Sequence, residues 1–461
     1  MLAAESISNE MGLNPYWNEQ CEENSLKLWL PTKTALQDSG QTSSNLFSSK
    51  TVESSWFRAR LYTAPNRSLP RICLQSSTSS LVECTDLGST AIKSKKIRVY
   101  PTKSQRIEIK SWQSASRWFF NKAKEIDRSC KGNIAKYDLA KAVMEATPEW
   151  AKSIPYQIKR SAVLDYWKAK SNAIKKFKQT NQIQQISFRS AKSPKQSCYI
   201  PKTAVKRMGV YHTILGRLEA AECIGTEIDC RLTLENGRYY LTVGQAPQAA
   251  SESQASGIVA IDPGVRTFVT FYSDECCGKL GEHDLKKIFR LCMGLDKLIS
   301  KRALERSHRK RNNMKRAIWR LRNKIKDLVD DLHHKTALFL CRNFKTMLLP
   351  TFETKQMTER AGRAIGSKSA RQMLTFAHFR FKQFLKHKAK ELSVVVIDVN
   401  EAYTSKTVSW TGEIKEIGSS KVITSGKGKN KVVVDRDYNG ARGIMLRALR
   451  GNSLQVVELP A

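Results

Sequence analysis

Residues 257–273 read GIVAIDPGVRTFVTFYS. The apolar, β-branched run IVAI predicts a buried strand, and Pro263-Gly264 predict a turn into a second strand. Asp262 therefore stands at the end of the first strand. Downstream the chain alternates strand and helix through TMLLPTF, ARQMLTFAHFRFKQFLKHKAKEL, SVVVIDV and NGARGIMLRALRG. This alternation predicts an α/β domain over residues 256–461, built on a mixed sheet.

Two long basic helices are predicted after the second strand. Apolar residues recur three and four positions apart in each of them: Leu285, Ile288, Cys292, Leu295 and Ile299 in one, and Met314, Ile318, Leu321, Ile325, Leu328 and Leu332 in the other. Such heptad-like seams predict an antiparallel helical hairpin, inserted into the α/β domain at about residues 284–340.

The chain before this domain is organised differently. Residues 93–250 open with the basic strand KSKKIRVY, continue through helical patterns and end in strand signals, with Asn236-Gly237 as a hairpin turn. We expect a strand-flanked helical lobe and a small β-barrel here, followed by a small-residue linker at 246–256. Residues 1–92 are rich in serine without periodicity and predict a mostly disordered tail. The whole chain is thus expected to be an α/β and α+β multidomain protein.

The charge balance indicates the kind of partner. The chain has 79 Lys and Arg against 42 Asp and Glu, a net charge of +37. Residues 1–95 carry nine basic and nine acidic side chains, so the whole excess lies in residues 96–461. A field of this size favours a nucleic-acid partner over a membrane and argues against an enzyme of neutral small molecules. We expect no membrane partner, because no apolar run reaches the roughly 18 residues of a spanning helix.

Eleven cysteines show no C-x-x-C spacing, and the first 20 residues lack a basic flank and an apolar core. We therefore expect reduced thiols and an intracellular protein. The histidines form no metal-binding pattern, and no phosphate-binding glycine motif is present.

Three acidic residues stand at predicted element ends in the C-terminal half. Asp262 ends IVAID, Glu401 follows SVVVIDVN, and Asp437 precedes the final helix. Carboxylates gathered at one edge of a sheet can hold two Mg²⁺ ions, about 3.5–4 Å apart, as phosphodiester hydrolysis requires. Taken singly, each acid is also a common turn or helix-cap residue.

The sequence motifs around the three acids strengthen the catalytic interpretation. IDPGVRTFVTF, EAYTSKTVSWTG and DRDYNGARGIMLRAL, in this order, resemble the three C-terminal signatures of RuvC-like nucleases, and more narrowly the TnpB nucleases and their eukaryotic relatives, the Fanzors. KIRVYPTKSQRIEIKSWQSASRWFFNKA, NGRYYLTV and RQMLTFAHFRFKQFLKHKAKE resemble further parts of that family. The resemblance covers about residues 93–450, and it is nearest to the Fanzor branch.

The resemblance implies an RNA-guided DNA endonuclease. Its partners would be a guide RNA from the same element and a double-stranded DNA target. Its RNase H-like RuvC domain would bind two Mg²⁺ ions at Asp262, Glu401 and Asp437. It further implies a monomer with its RNA, acting in the nucleus.

The middle acid departs from the prokaryotic pattern. Members usually carry it on the strand that corresponds to TMLLPTFETKQM, where this chain has Pro350. Fanzors commonly use a glutamate just before YTSKT instead, which is Glu401 here. Glu353 is the competing residue, and we prefer Glu401 because both Pro350 and Glu401 terminate predicted strands and can reach the same metals.

The zinc ribbon of the family is also altered. Its two C-x-x-C pairs align with Val408 and Thr411, and with Lys427 and Asn430, in a loop at 406–430. Residues 401–461 contain no cysteine, so no zinc is expected. An eroded copy of the element and a subclass whose loop folds without zinc both fit this loss. The three retained acids favour the second.

Several cationic residues are candidates for nucleic-acid contact. Those at the hairpin tip are Arg306, Arg309, Lys310, Arg311, Lys315 and Arg316. Lys93, Lys95, Lys96 and Arg98 fit a nuclear import signal and a guide-RNA contact equally well. Trp112, Trp118 and Phe119 have helical spacing, which favours core packing for at least two of them.

Two other functions compete with RNA-guided cleavage. One is a nuclease-dead nucleic-acid-binding protein derived from a transposon, and the other is a DNA-cutting transposase that acts without RNA.

Overall fold

The computed structural model of the chain has two compact units. One contains residues 1–91, 248–307 and 321–461, and the other contains residues 92–247 and 308–320. The structure describes residues 12, 14–39, 42–44, 57, 59–65, 71–74, 82–83, 93–131, 134–207, 209–224, 229–245, 255–282, 284–351, 357–359, 365–400, 402–417, 420–450 and 454–457. Among these residues, no helix combines the length and apolarity needed to cross a lipid bilayer.

The first unit is built on an eight-stranded mixed sheet. Its strands are β1 Thr42–Ser44, β2 Ala59–Thr63, β4 Val82–Glu83, β11 Ile258–Pro263, β12 Val269–Ser273, β13 Cys276–Leu280, β14 Thr346–Pro350 and β15 Val395–Val399. They lie in the order β1-β2-β13-β12-β11-β14-β15-β4. β14 runs parallel to β11 and β15, and every other neighbouring pair is antiparallel. β11 is therefore a central strand, as its apolar sequence predicts.

Helices and two small sheets complete this unit. The helices are α1 Glu19–Lys27, α2 Lys33–Asp38, α7 Asp284–Leu304, α8 His308–Asn343, α9 Ser367–Phe376, α10 His378–Glu391 and α11 Arg436–Arg450, where α8 contributes its residues 308–320 to the other unit. The small sheets pair β16 Val422–Ser425 with β17 Val432–Asp435, and β18 Leu454–Val457 with β3 Arg71–Leu74. The expected long helices at 284–340 are α7 and α8.

The two faces of the eight-stranded sheet bury different residues, because side chains alternate along each strand. Val259 and Ile261 of β11 lie in a cluster with residues of α7, α8 and α10, which defines the aromatic face; it also contains Phe268. Ile258 and Ala260 lie in a second cluster with residues of α11, which defines the α11 face. Asp262 continues the alternation of the α11 face.

The described part of the N-terminal stretch departs from the expected disorder. Residues 19–27 and 33–38 are helical, and β2 pairs with β13. Asn18 and Thr32 cap the two helices with their side-chain oxygens. Trp29 donates its indole N–H to the Ser273 carbonyl at 2.9 Å. The expectation of disorder is wrong for these residues, because their few large apolar side chains are buried against a distant part of the chain.

The second unit packs helices on an open sheet. Its helices are α3 Lys103–Ser129, α4 Lys136–Glu145, α5 Tyr156–Thr180 and α6 His212–Leu215, and its strands are β5 Lys93–Val99, β6 Lys195–Ile200, β7 Val205–Lys206, β8 Gly209–Val210, β9 Cys230–Glu235 and β10 Arg238–Gln245. The hairpin turn at Asn236-Gly237 joins β9 to β10, and both residues have positive φ. Trp112 and Phe119 of α3 are buried in the core of this unit, as their spacing predicts.

The expected small β-barrel is wrong for the described residues. The strands lie in the order β5-β10-β9-β6, and β5 does not pair with β6. The outer edge of β5 is hydrogen-bonded by residues 219–221 instead. Four short strands are too few to close on themselves around side chains.

Candidate active site

Asp262 stands where β11 reaches the edge of the α11 face. It is half-buried and pairs across the sheet with Thr270, which in turn pairs with Lys279. On its other side the parallel register matches Ala260 with Leu348. Two residues further along, this register brings Asp262 level with Pro350, so the carboxylate has a threonine on one side and a proline on the other.

Asp437 lies in the first turn of α11, beside Asp262. An ideal Cβ built on Gly440, one turn further, would lie 2.6 Å from Oδ2 of Asp262. The Asp262 carboxylate therefore touches the α11 backbone where a side chain would stand. Residues 437 and 440 are three apart and share a helix face. The structure thus brings together two of the three predicted acids, from segments 175 residues apart in the chain.

Lys279 and Asp435 were missed by the sequence reasoning and belong to the same site. Lys279 is 7% exposed, and its Nζ lies 2.7 Å from Oδ2 of Asp435 and 3.5 Å from Oδ2 of Asp437. Oδ1 of Asp435 accepts the backbone N–H of Asp437 at 2.9 Å. Burial lowers the pKa of Lys279, but Asp435 and Asp437 outweigh burial and raise that pKa above its ordinary value. Lys279 is therefore a charged ammonium in this site.

A cleft of about 460 Å³ opens at these residues. Cationic residues line it beside Asp435 and Asp437: Arg266, Lys279, Lys286, Lys368 and Lys421. Glu282, also in the wall, forms an ion pair with Arg60 at 2.9 Å. A cleft that combines two aspartates with this ring of cations suits a phosphodiester, since the cations attract the phosphates and the aspartates attract divalent ions.

The third predicted acid, Glu401, and its competitor Glu353 both lie outside the described residues. The strands that lead to them are described: Pro350 ends β14, and its cross-strand partner is Val399 of β15. Pro350 is buried and supplies no oxygen ligand from its side chain. In the part of the chain that the structure describes, no group of three or more His, Cys, Asp or Glu could hold a metal ion.

The loop at the zinc-ribbon position is attached to α11 by protein contacts. Val408 is fully buried in the cluster of the α11 face. The Asn439 side chain accepts the Ser409 N–H at 2.9 Å and donates to the Thr407 carbonyl at 2.7 Å. Lys427 and Asn430 lie next to and within a 3₁₀ turn, Gly428–Asn430. The loop therefore folds on apolar burial and hydrogen bonds at the place where the family resemblance puts thiolates.

Arg442 connects this loop to the N-terminal segment. The guanidinium is 1% exposed and donates to the carbonyl oxygens of Trp29 at 3.2 Å, Leu28 at 3.1 Å and Ser25 at 2.5 Å. It also donates to the Ser409 carbonyl. A buried charge is tolerated when hydrogen bonds satisfy its donors. Arg442 thus fixes α11, which carries Asp437, between two distant segments.

The predicted cationic contacts fall into two groups. The hairpin-tip residues are all exposed: Arg306, Arg309, Lys310, Arg311, Lys315 and Arg316. Lys95, Lys96 and Arg98 lie on β5, where Lys95 pairs with Glu222 and Lys96 pairs with Glu235 at 2.6 Å. Two of the β5 cations are thus partly neutralised by acids, and the six predicted residues of the tip are each exposed to solvent.

Comparison with known proteins shows what the chain is similar to. A model of the Cas12f1-like TNB domain matches residues 378–444, and a helix-turn-helix domain model of the OrfB IS605 type matches residues 91–129. TnpB-like protein L79 of Acanthamoeba polyphaga mimivirus is 23% identical over 440 residues, covering 86% of this chain and 83% of the relative. TnpB-like protein R854 of the same virus is 24% identical over 441 residues, covering 86% and 82%. The chain is thus similar to TnpB-like proteins over most of its length.

The two matched segments correspond to defined parts of the chain. Residues 378–444 run from the start of α10 through β15 and the loop at 402–417 into α11, and they include Asp437. In the segment 91–129, residues 93–99 form β5 and residues 103–129 form the single long helix α3. A cryo-EM structure of a Cas12f1–sgRNA–target DNA complex resembles the chain with a TM-score of 0.40 and 13% identity, over 77% of this chain and 98% of that chain.

Proposed function

We propose that this TnpB-like chain is an RNA-guided DNA endonuclease of the Fanzor branch, with a RuvC-like site that requires Mg²⁺. The observation that carries the proposal is the convergence of Asp262 and Asp437 at one edge of the mixed sheet, where Asp262 touches the α11 backbone at Gly440. The partners would be a guide RNA and double-stranded DNA, bound by a monomer in the nucleus.

The donor set fits Mg²⁺. Asp262 and Asp437 offer carboxylate oxygens, and magnesium sites commonly use one or two carboxylates and complete their coordination with water and substrate phosphate. Asp262, Asp437 and, as the third ligand, Glu401 would hold two ions. When bound, the ions would polarise the scissile phosphate and neutralise the charge that develops on the attacking and leaving oxygens.

The chain's own residues would position the strand to be cut. The cleft lysines Lys286, Lys368 and Lys421 would contact backbone phosphates on either side of the aspartates. The exposed cations of the hairpin tip would grip a duplex through its backbone, while sequence would be read by pairing with the guide. The apolar strand β11 would hold Asp262 rigidly, because it is buried on both faces.

The first test is cleavage of a guide-matched duplex by protein purified with its own RNA. Asp262→Ala should abolish Mg²⁺-dependent cleavage and leave RNA and DNA binding within a few-fold, since affinity comes from the basic surface. Asp398→Asn is the matched control. It removes a carboxylate of β15 that pairs with Lys382 at 2.8 Å and Lys386 at 3.1 Å, and it should retain cleavage. Retained cutting in Asp262→Ala would remove Asp262 from the site.

The second test assigns the middle acid. Glu401→Gln should lose cleavage by orders of magnitude, because the amide keeps the shape but not the charge that holds Mg²⁺. Glu353→Gln should lose much less, and Pro350→Glu should not fully rescue Glu401→Gln. Full activity in Glu401→Gln together with loss in Glu353→Gln would overturn the assignment.

A specific observation supports a second candidate function. Pro350 stands level with Asp262, on the strand where prokaryotic relatives of the resembling family place a catalytic glutamate. Loss of that acid also fits a nuclease-dead protein that still binds RNA and DNA. Wild-type protein that binds its RNA and matched DNA but cuts in no divalent metal would establish this second function.

A further inference from the structure

Lys279 is an unusual residue for the interior of a sheet. It lies on β13 with its side chain 9% exposed, in the cross-strand row that contains Thr270 and Asp262. The strand therefore places the cationic side chain of Lys279 on the α11 face, near the predicted metal ligands. A buried charge of this kind must be paired, and its partners are both acids of the DRD sequence at residues 435–437.

Lys279 holds Asp435 more tightly than it holds Asp437. Asp435 is held at both oxygens, by Lys279 at 2.7 Å and by the Asp437 backbone N–H at 2.9 Å. Asp437 is held at one oxygen, at 3.5 Å, and its side chain is 37% exposed to the cleft. Asp435 is thus fixed by Lys279, whereas Asp437 is paired loosely and can turn to another cation.

Building on the proposed function, we propose that Lys279 is a positioning residue of the nuclease site. It fixes the start of α11 through Asp435, and it weakens binding of a divalent ion at Asp437 by competing with that ion for the carboxylate. Removing the ammonium should therefore loosen the first turn of α11 and at the same time tighten metal binding. If Lys279 had only a structural role, its removal would loosen the first turn of α11 and would also weaken metal binding.

The experiment uses the full-length chain and three variants. Lys279→Met keeps an unbranched side chain, one atom shorter, and removes the charge, and Lys279→Arg keeps the charge. Lys286→Met is the matched control, because Lys286 lies in the wall of the same cleft and is exposed. The probe is Mg²⁺ alone, titrated by calorimetry, with Asp437→Asn as the baseline for sites elsewhere. Hydrogen exchange of the peptide that covers residues 436–442 reports on the first turn of α11.

We expect Lys279→Met to bind Mg²⁺ roughly tenfold more tightly than wild type, about 1.4 kcal/mol, because a partly buried charge next to a ligand repels the incoming ion. Lys279→Arg and Lys286→Met should stay within about threefold. Exchange of the Asp437 amide should accelerate by about tenfold in Lys279→Met only, since Asp435 loses its second contact. In assembled complexes, the Mg²⁺ concentration for half-maximal cleavage should fall in Lys279→Met while the maximal rate also falls.

The outcomes separate this inference from the proposed function. Unchanged or weaker Mg²⁺ binding in a folded Lys279→Met protein, or unchanged exchange at residues 436–442, overturns the role of Lys279. If wild type and all variants bind no Mg²⁺ above the Asp437→Asn baseline, the metal-dependent function fails and the competition fails with it. Accelerated exchange would then still support the positioning of α11. If Lys279→Met does not fold, the Lys279→Arg variant decides. Unaltered Mg²⁺ affinity and hydrogen exchange in Lys279→Arg support the need for a positive charge at this position. Loss of folding in Lys279→Arg overturns the proposed role of the charge.

Discussion

The two faces of the eight-stranded sheet are stabilised in different ways. On the aromatic face, Phe268 stacks nearly parallel to the rings of His333 and His378, with each ring centroid 5.3 Å away, and it lies in a cluster of buried apolar side chains. On the α11 face, buried cations are each matched by oxygens: Lys279 by two carboxylates and Arg442 by backbone carbonyls. The aromatic face therefore depends on volume and on neutral histidines, whereas the α11 face depends on a specific set of polar contacts.

This difference indicates where function is located. An apolar layer tolerates substitutions that conserve volume, but a buried charge tolerates the loss of its partners poorly. The candidate site is on the α11 face, where acids, cations and a close-packed glycine converge. The four predictions below test this division, from the largest effect to the smallest.

The largest effect is expected at Arg442. Arg442→Met should lower the free energy of unfolding by at least about 3 kcal/mol, because the carbonyls of Ser25, Leu28, Trp29 and Ser409 lose a buried donor. The measurement is thermal or urea unfolding followed by circular dichroism. Arg450→Met is the control, since Arg450 donates one described hydrogen bond, to Tyr16, and lies at a half-buried position of the same helix. Equal losses in both variants would contradict the special role of Arg442.

The aromatic face should stabilise the fold less at low pH. Burial lowers the pKa of His333 and of His378 to about 4, well below the ordinary value near 6.5. Both histidines are therefore neutral in the folded protein, and their contribution is complete above pH 6.5. As pH falls from about 6.5 toward 4, each histidine should lower the free energy of unfolding by up to about 1.4 kcal/mol per pH unit.

Unfolding midpoints measured between pH 7 and pH 4 test this dependence. His378→Phe should reduce the slope of stability against pH by the contribution of one proton. The phenylalanine ring cannot be protonated and stays in contact with Phe268. His387→Gln alters a more exposed histidine on the same helix, α10, and should leave the curve unchanged. An identical pH dependence in wild type and His378→Phe would show that the aromatic face does not carry the acid sensitivity.

Gly440→Ala separates activity from stability on the α11 face. The added methyl group would overlap Oδ2 of Asp262, so the carboxylate must move and cleavage should fall by about tenfold or more. The free energy of unfolding should be unchanged or slightly higher, because alanine is a better helix former than glycine by about 1 kcal/mol. Gly443→Ala is the control, since its methyl group would meet Thr404 at 3.3 Å, and it should cut normally.

Zinc chelation should have no effect. The loop at 402–417 is held by Val408, Asn439 and Arg442, and the aligned positions offer no thiolate. Treatment with a strong zinc chelator should leave the melting temperature and the loop's protease resistance unchanged. Stoichiometric zinc in purified protein, lost together with stability on chelation, would contradict this.

Much of the central architecture could be predicted because its signals are local. The apolar run before Asp262, the heptad-like seams of the two long helices and the acid before the last helix each depend on neighbouring residues in the sequence. Trp112 and Phe119 followed from helical spacing in the same way. These signals place Asp262 and Asp437 at the ends of elements without revealing how close they are.

The missed features depend on residues far apart in the chain. Lys279 looks like an ordinary surface lysine until Asp435, 156 positions away, is placed beside it. Trp29 and its neighbours lie in a serine-rich stretch with no repeating pattern, and their burial requires Ser273 and Arg442. The barrel expected in the second unit failed similarly, because strand order and edge pairing are not encoded in any single strand.

The contact between Arg442 and the segment around Ser25 also has a consequence for biosynthesis. The two residues are 417 positions apart, which corresponds to roughly 20–80 s of translation at typical elongation rates. For the later part of that time, the strand bearing Asp262 has been synthesised and the helix that covers it has not. A nascent chain that lacks α11 therefore exposes the uncovered sheet face to chaperones and proteases, and its candidate site is not assembled. The candidate site is therefore assembled only after α11 has been synthesised.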